Sequence, residues 1–583
     1  MKKLIYALPI IAIIIITLSF LPEKSNTEIK DVNFVNFENK TALDLNSVTS
    51  PSGKVSGLFT VVERDAPGIS NIARKHTSIE LNKSQLRNLY NTKSETLNLE
   101  IPLENNRNIE LSLMKVNILD PQFRLTSQSQ SGKQTVPYTP GVYYRGVVKG
   151  NSISLVSISV FENEFYGLVS DESGNYNIGK VQRDNINSNE YVVINDFDLT
   201  ILSGFKCGVD GKENKLDLIK YKDLKNNQNH SNHSHGETDN NTAAVAPVRS
   251  YFECDYRMYL DFASNLSTVA NYVTAMYNSV ATIYNNESIP VTISEILTWT
   301  GNDPYSGFND SYEILQLFGQ RNQDNFFGSL AHLLSTRQNN LGGIAWINAL
   351  CQSYNSTEHF GRFAFSNIYP STISTYPIYS WPVNVVAHEM GHNFGSYHTH
   401  ACRWPTRPGV TNGAIDSCYN AEGGFCFSNP RPARGTIMSY CHLWTVAQGG
   451  GVDFTKGFGP LPGDTIRKWY SASGCFNQIL NSSERPSVFA LTQNFPNPFN
   501  PVTNFKFSLP VSSIVTLKVY DISGREITTL LSNQIFNEGT FSYQFSAAEF
   551  NLSSGVYFYR LDAVKVGDNS VNHREIRKMI LLK

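Results

Sequence analysis

The sequence predicts a protein of mixed α and β class, in which alternating strands and helices lie between two β-rich regions. Residues 25–221 contain short segments of alternating apolar residues separated by Asn, Ser and Gly, a pattern typical of a β-rich domain. Strand-like and helical patterns alternate within residues 250–480. Residues 487–583 return to alternating strands and turn signals, which predict a small β-sandwich.

The N-terminal residues predict export from the cytoplasm. Lys2 and Lys3 precede an apolar run from residue 4 to residue 21, and polar residues follow from Glu23, which is the arrangement of a signal peptide over residues 1–22. The run is also long enough to span a bilayer and no A-x-A site follows it, so an uncleaved signal anchor is the alternative. No later stretch of the sequence predicts a membrane span.

Length and charge limit the organisation and the partners. A chain of 583 residues is too long for one core, and we expect three or four folded units. Lys and Arg number 48 against 50 Asp and Glu, so the net charge of −2 gives no long-range field to attract nucleic acid or an anionic membrane. We expect neither as a partner.

Particular elements can be predicted at the start of the middle region. Residues 256–262 alternate in the manner of a strand, residues 266–284 place apolar side chains at helical intervals, and residues 289–293 indicate the next strand. Residues 222–249, which precede them, are polar and poor in apolar side chains. This segment is therefore predicted to be a linker and a processing region.

Residues 388–398, with the sequence H-E-M-G-H-N-F-G-S-Y-H, predict a metal site. His388 and His392 stand four apart, which places both rings on one face of a helix where they can hold one ion. Glu389 lies beside that ion and is in the position of a general base. An isolated H-E-x-x-H also occurs on ordinary helices, so the motif needs further support.

Gly395 and His398 provide that support. A glycine just past a helix end allows a positive φ, so the chain can turn His398 back toward the metal as a third ligand. Three histidines leave one coordination position for water or a carbonyl, as in a catalytic zinc site. Zinc lowers the pKa of water from about 15.7 to about 7, which makes a nucleophile available at neutral pH.

Residues 435–440, G-T-I-M-S-Y, resemble the Met-turn of metzincin peptidases, so residues 250–480 are identified as a metzincin catalytic domain. The resemblance implies a twisted mixed sheet with an active-site helix, and it places Met438 beneath the zinc ligands. An ordinary core methionine is the alternative. Tyr440 would stabilise the oxyanion or touch the metal, and an ordinary buried tyrosine is its alternative.

The subfamily is narrowed by two further resemblances. Residues 342–351 resemble the substrate-binding edge strand of reprolysins, the family of snake-venom metalloproteinases and ADAM proteases, where a peptide would add itself as a strand. Residues 144–146, 154–159 and 165–169 resemble the reprolysin propeptide. The β-rich domain of residues 25–221 is therefore expected to be the propeptide of a latent precursor. Reprolysins usually carry Asp after the third histidine, but this chain has Thr399 as pappalysin-like metzincins do, so a pappalysin-like peptidase is the alternative.

Residues 206–210, K-C-G-V-D, resemble the cysteine switch of matrixin and ADAM propeptides. A thiolate at Cys207 is a good zinc ligand and would occupy the position that water needs, so the precursor would be latent. The alternative is a disulfide between Cys207 and Cys254, which would leave the other six cysteines evenly matched.

Eight cysteines in an exported protein suggest disulfide bonds. The reprolysin resemblance implies that Cys351 pairs with Cys475. Three connectivities remain open for the four cysteines in the segment around the third histidine and the Met-turn, which are Cys402, Cys418, Cys426 and Cys441.

The last region resembles the C-terminal sorting domain of proteins exported by the type IX secretion system. The resemblance rests on residues 494–501, 515–521, 552–560 and 578–583, which occur in the same order as in that domain. It implies a diderm bacterium, passage through the periplasm, the type IX machinery as a partner, and release or attachment at the cell surface.

Together these features predict a secreted zinc endopeptidase that hydrolyses protein or peptide substrates with one catalytic zinc ion. The alternative from another class is a surface adhesin on a protease fold that has lost catalysis, but the ligands and the base are unbroken here. Calcium occurs in this superfamily, yet the sequence has no EF-hand-like loop and no calcium ligands are assigned.

Overall fold

The computed structural model describes most of the chain from residue 39 onward. The described residues are 39–47, 53–63, 69–103, 105, 107–181, 188–200, 207–209, 247–337, 341–368, 380–444, 448, 450–473, 488–494, 496–511, 513–536, 539–550, 552–565 and 573–582. The predicted signal peptide and nearly all of the predicted linker lie outside them. Among the described residues, no helix has both the length and the apolar character needed to cross a bilayer.

The N-terminal region is β-rich, as predicted. Its elements are α1 (Lys40–Ser47), β1 (Gly53–Val55), β2 (Phe59–Val61), β3 (Thr77–Leu81), α2 (Lys83–Thr92), β4 (Thr96–Leu103), β5 (Arg107–Val116), β6 (Leu119–Ser129), β7 (Gly132–Val136), β8 (Val142–Val148), β9 (Asn151–Val160), β10 (Phe165–Asp171), β11 (Gly174–Lys180) and β12 (Glu190–Asn195). Ten of these strands form one sheet in the order β1-β4-β5-β8-β9-β10-β11-β12-β3-β2. Adjacent strands in this sheet are antiparallel, except that β1 and β4 are parallel.

The middle region alternates strands and helices, as predicted. Its elements are β13 (Val248–Cys254), α3 (Tyr256–Asp261), α4 (Leu266–Asn286), β14 (Val291–Trp299), α5 (Ser311–Asn322), β15 (Leu330–Ser335), β16 (Gly343–Ala345), β17 (Phe363–Asn367), α6 (Ser380–Asn393) and α7 (Pro460–Ala472). They build a mixed sheet in the order β16-β17-β15-β13-β14-β6-β7. The last two strands of this sheet come from the N-terminal region, so the two predicted domains share a sheet.

One predicted element in this region is wrong. Residues 256–262 alternate like a strand, but Tyr256–Asp261 is the helix α3. The carboxylate of Asp255 accepts a hydrogen bond from the Met258 N–H at 2.9 Å and caps the helix, and this cap outweighs the alternating pattern. The strand lies just upstream as β13. The predicted helix at residues 266–284 is confirmed as α4.

The C-terminal region is β-rich and has its own core. Its strands are β18 (Ala490–Leu491), β19 (Val502–Leu509), β20 (Ser513–Tyr520), β21 (Glu526–Phe536), β22 (Gly539–Ser546), β23 (Gly555–Lys565) and β24 (His573–Leu581). They form two sheets, β18-β19-β22 and β21-β20-β23-β24. Alternate residues of β20 are buried, and they join one cluster with Phe505 and Tyr559. The predicted alternation therefore marks the face of the sheet that is turned to the core.

Helix α6 lies in the interior of the middle region. All of its residues from Ser380 to Asn393 are buried. The Asn393 side chain donates hydrogen bonds to the backbone carbonyls of Trp346 at 2.9 Å and Phe363 at 3.0 Å, which fixes the end of the helix to the sheet. The helix is therefore a rigid support for the histidines it carries.

Candidate metal centre

The predicted ligands His388 and His392 lie on α6, one turn apart. Their ring centroids are 4.9 Å apart, and both side chains are buried. The helix ends where predicted, since Gly395 has a φ of 90° and its N–H donates to the His392 carbonyl at 2.8 Å. A Cβ atom at residue 395 would lie 2.5 Å from Asn348 Oδ1, so glycine is needed for space as well as for φ. The chain then turns and brings His398 to the other two rings.

The Nε2 atoms of the three histidines converge on one point. His398 Nε2 lies 3.2 Å from His392 Nε2 and 3.1 Å from His388 Nε2. Four ligands at a Zn–N distance of about 2.0–2.1 Å on a tetrahedron are separated by about 3.3 Å. The three nitrogens therefore fit the corners of a zinc site.

The other ring nitrogen of each histidine has an acceptor. Nδ1 of His388 donates to the Ile437 carbonyl at 2.8 Å, and Nδ1 of His392 donates to the Ser396 carbonyl at 2.7 Å. Nδ1 of His398 lies 2.9 Å from Glu422 Oε1. These bonds place the proton on Nδ1, so the Nε2 lone pairs point at the site, as metal-binding histidines require.

Burial also keeps the rings uncharged. The pKa values of His392 and His398 are lowered to about 3, and that of His388 is lowered well below its usual value. The main cause in each case is the loss of solvent around the buried ring. All three imidazoles are therefore neutral at pH 7 and can donate to a metal ion.

Cys207 lies at the open side of this triangle. Its Sγ is 3.6 Å from His392 Nε2 and 3.5 Å from Glu389 Oε2. The thiol and the three Nε2 atoms lie within 4.8 Å of one another, as a fourfold ligand set would. The alternative prediction, a disulfide between Cys207 and Cys254, is wrong, since neither cysteine is disulfide-bonded. The thiol of Cys207 is at the metal centre instead.

The segment around Cys207 is held by backbone hydrogen bonds. The Cys207 N–H donates to the Tyr440 hydroxyl at 2.7 Å, and the Gly208 N–H donates to the Gly343 carbonyl at 2.7 Å. Gly343 belongs to β16, which lies at the edge of the sheet and pairs with β17 on its other side. A Cβ at Gly343 would lie 2.2 Å from Glu389 Oε1, so the edge strand passes directly by the predicted base.

Met438 and Tyr440 are both at the site. Met438 is fully buried beneath α6, and its Sδ would lie 2.7 Å from a Cβ at Gly391, between the two helical histidines. The Tyr440 ring centroid is 4.8 Å from that of His398. The structure therefore brings together every site residue that the sequence predicted.

Glu422 and His400 were missed by the sequence analysis. Glu422 approaches His398 Nδ1 with both oxygens, at 2.9 and 3.0 Å, and its Oε1 lies 3.0 Å from His400 Nε2. Burial alone would raise the pKa of Glu422, but its electrostatic interaction and hydrogen bonds with the His398 and His400 ring nitrogens outweigh burial and hold the pKa well below its usual value. The carboxylate is therefore ionised and orients the third ligand. Glu422 belongs to no motif.

Disulfide bonds close the loop that carries Glu422. Cys402 pairs with Cys426 and Cys418 with Cys441, which decides among the three open connectivities. Backbone bonds add to this, since the Cys402 N–H donates to the Glu422 carbonyl at 2.8 Å. Cys351 is also disulfide-bonded, whereas its expected partner, Cys475, lies outside the described residues.

Comparisons with known proteins agree with both predicted resemblances. Residues 246–442 match a reprolysin-type family described as metallo-peptidase family M12, and residues 493–574 match a secretion system C-terminal sorting domain. These matches confirm a reprolysin-like metallopeptidase region and a type IX sorting region.

Solved structures give only distant likenesses. A crystal structure of metalloproteinase-II from Bacteroides fragilis is 10% identical with a TM-score of 0.28, over 68% of this chain and 98% of that chain. Wild-type OgpA from Akkermansia muciniphila is 12% identical with a TM-score of 0.19, over 59% of this chain and 94% of that chain. Likenesses of this strength support no conclusion about this chain.

Proposed function

We propose that this chain, whose middle region matches metallo-peptidase family M12 and whose C-terminal region matches a secretion sorting domain, is a secreted zinc endopeptidase made as a latent precursor. The observation that carries the proposal is the convergence of the His388 and His392 Nε2 atoms on His398 Nε2, at 3.1 and 3.2 Å, with each Nδ1 held by an acceptor. The sorting region directs the protein to the cell surface or the medium.

His388, His392 and His398 would hold the zinc ion, which supplies Lewis acidity and makes water a nucleophile at neutral pH. Glu389 takes a proton from the attacking water and later gives it to the leaving amine. Its place beside Gly343 supports this role, because a peptide on the edge strand would pass within reach of its carboxylate. Tyr440 stabilises the oxyanion once the N-terminal segment no longer contacts its hydroxyl.

Latency is proposed to depend on Cys207. The thiol stands where the attacking water must stand, 3.5 Å from the carboxylate of the base. The neighbouring backbone bond from Gly208 to Gly343 occupies the edge strand that substrate would use. One short segment thus blocks both the metal and the peptide-binding strand, and activation requires that it leave.

The test is the substitution Glu389→Gln, with Glu358→Gln as the control because Glu358 is an exposed glutamate. Each protein is cut in the linker by an added protease, its zinc is measured, and cleavage of a denatured protein is followed with and without a chelator. We expect zinc to remain in both variants and cleavage to fall by about 10²- to 10⁴-fold in Glu389→Gln alone. Full activity of Glu389→Gln, or no zinc in the parent, would rule out the proposal.

A further inference from the structure

The N-terminal region contributes an edge to the sheet of the catalytic region. Strand β6 pairs in parallel with β14 from Glu295 opposite Arg124 to Trp299 opposite Gln128, and β7 follows β6. Without this hairpin, β14 would present a row of unpaired backbone groups. Folded proteins normally cover or shorten such edges, because exposed edges pair with other chains.

A buried charge on β14 is matched from the N-terminal region. The Glu295 side chain is fully buried, and it contacts Arg124 Nε at 2.6 Å, Lys133 Nζ at 2.6 Å and Thr126 Oγ1 at 2.7 Å. Burial by itself raises the pKa of Glu295, but the two cations outweigh it and lower the pKa. A second pair joins Arg249 of β13 to Asp120 at 2.7 Å. Removing the N-terminal region would leave these groups without their partners.

Helix α4 is covered by the same region. Its residues from Val269 to Tyr284 are buried, with Asn271 alone partly exposed, although surface helices normally expose one face. The Asn278 amide donates to the carbonyls of Tyr144 at 3.3 Å and Ile158 at 3.0 Å, which belong to β8 and β9. The helix is therefore built to lie between two sheets, and both sheets are part of one core.

A third contact lies beyond the metal centre. Arg434 pairs with Asp196 at 3.0 Å, and the Asn175 amide donates to the Val452 carbonyl at 2.8 Å. The attachment thus extends from the sheet edge through α4 to residues on both sides of the Met-turn. In contrast, the backbone of the described part of the Cys207 segment, residues 207–209, donates hydrogen bonds to the Tyr440 hydroxyl and the Gly343 carbonyl.

We propose that the N-terminal region is a permanent part of the working peptidase: after the linker is cut it stays bound through β6, β7 and α4, and only the segment around Cys207 leaves the site. This inference rests on the proposed function, since it names what activation of that site removes. It follows because the contacts of the region with β14 and α4 complete the catalytic core, whereas the described residues of the Cys207 segment contact the predicted zinc ligand His392, the base Glu389 and the edge strand.

The experiment uses the full chain with a site-specific protease sequence inserted in the linker. The protein is cut, diluted in steps and run on size-exclusion chromatography, and each fraction is analysed for both fragments, for zinc and for cleavage of a peptide library. We expect the two fragments to elute together and the activity to elute with them. A catalytic fragment that separates, stays folded and carries the activity alone would overturn the inference.

A variant tests the named contacts. Arg124→Glu with Lys133→Glu places two acids against Glu295, and Arg107→Glu is the control because Arg107 is exposed on the same region. We expect the concentration at which the cut fragments separate to rise at least tenfold in the double variant and to stay within twofold in the control. An unchanged midpoint in the double variant would refute the assigned interface. Co-elution without zinc or activity would instead support retention and reject the peptidase function.

Discussion

Replacing Glu422 with alanine tests whether the loop carboxylate sets the affinity of the metal centre. Both Glu422 oxygens lie within 3.0 Å of His398 Nδ1, and the side chain is only 8% exposed. In Glu422→Ala the buried N–H of His398 loses its acceptor, which costs about 1–3 kcal/mol. At about 1.4 kcal/mol per decade this equals roughly a tenfold to hundredfold weaker zinc affinity, the range found when such partners are removed.

The assay is a competition of the protein against a chromophoric zinc chelator, with the absorption spectrum of the cobalt-substituted protein as a second measurement. Glu422→Gln should lose less affinity than Glu422→Ala, because its amide oxygen still accepts the bond from His398. Glu358→Ala, at an exposed glutamate, is the control and should bind zinc like the parent. A zinc affinity of Glu422→Ala within twofold of the parent would refute the reasoning.

Three other outcomes are expected. Cys207→Ser should make the uncut precursor at least tenfold more active on a peptide substrate, since a hydroxyl is a poor zinc ligand, whereas the control Cys254→Ser should stay latent. Gly395→Ala should lower the free energy of unfolding by about 1–3 kcal/mol in urea titrations, because φ is 90° and the new Cβ would lie 2.5 Å from Asn348; an unchanged midpoint would contradict this. Burial lowers the pKa of His332 from 6.5 to about 3, so the unfolded chain binds the extra proton between these values and stability falls as the pH falls through this window. His332→Phe should therefore recover on the order of 2 kcal/mol of the stability lost between about pH 7 and about pH 4.5, and an identical pH dependence would count against it.

The metal centre could be predicted from the sequence where its geometry is local. His388 and His392 are related by the helix repeat, and Gly395 fixes the turn that returns His398, so spacing along the chain determines position in space. Glu422 could not be predicted in this way. It reaches His398 from a loop whose course depends on the pairing of Cys402 with Cys426, and spacing alone does not reveal that pairing.

The sheet shared by the N-terminal and middle regions could not be predicted from the sequence for a related reason. Alternation predicted strands on both sides of the linker, but it does not say which strand pairs with which, and β6 pairs with β14 across more than a hundred residues of chain. Residues 256–262 show the opposite error: their alternating pattern predicted a strand, because the helix-capping residue before them was not considered. Asp255 follows β13, and its carboxylate caps the helix that comes next. The apolar pattern fitted a strand or a helix almost equally well, and this one side chain favoured the helix.

The segment from Ile437 to Tyr440 contacts both the predicted zinc ligand His388 and the Cys207 segment. Its first carbonyl holds Nδ1 of His388 at 2.8 Å, and its last hydroxyl accepts the Cys207 N–H at 2.7 Å. Met438 lies between these two contacts, beneath the ligand helix. If the Cys207 segment leaves as proposed, the fourth metal position and the Tyr440 hydroxyl would become available together. Under the proposed function, the tyrosine hydroxyl that contacts Cys207 would then donate to the substrate carbonyl, so a single departure would complete the site.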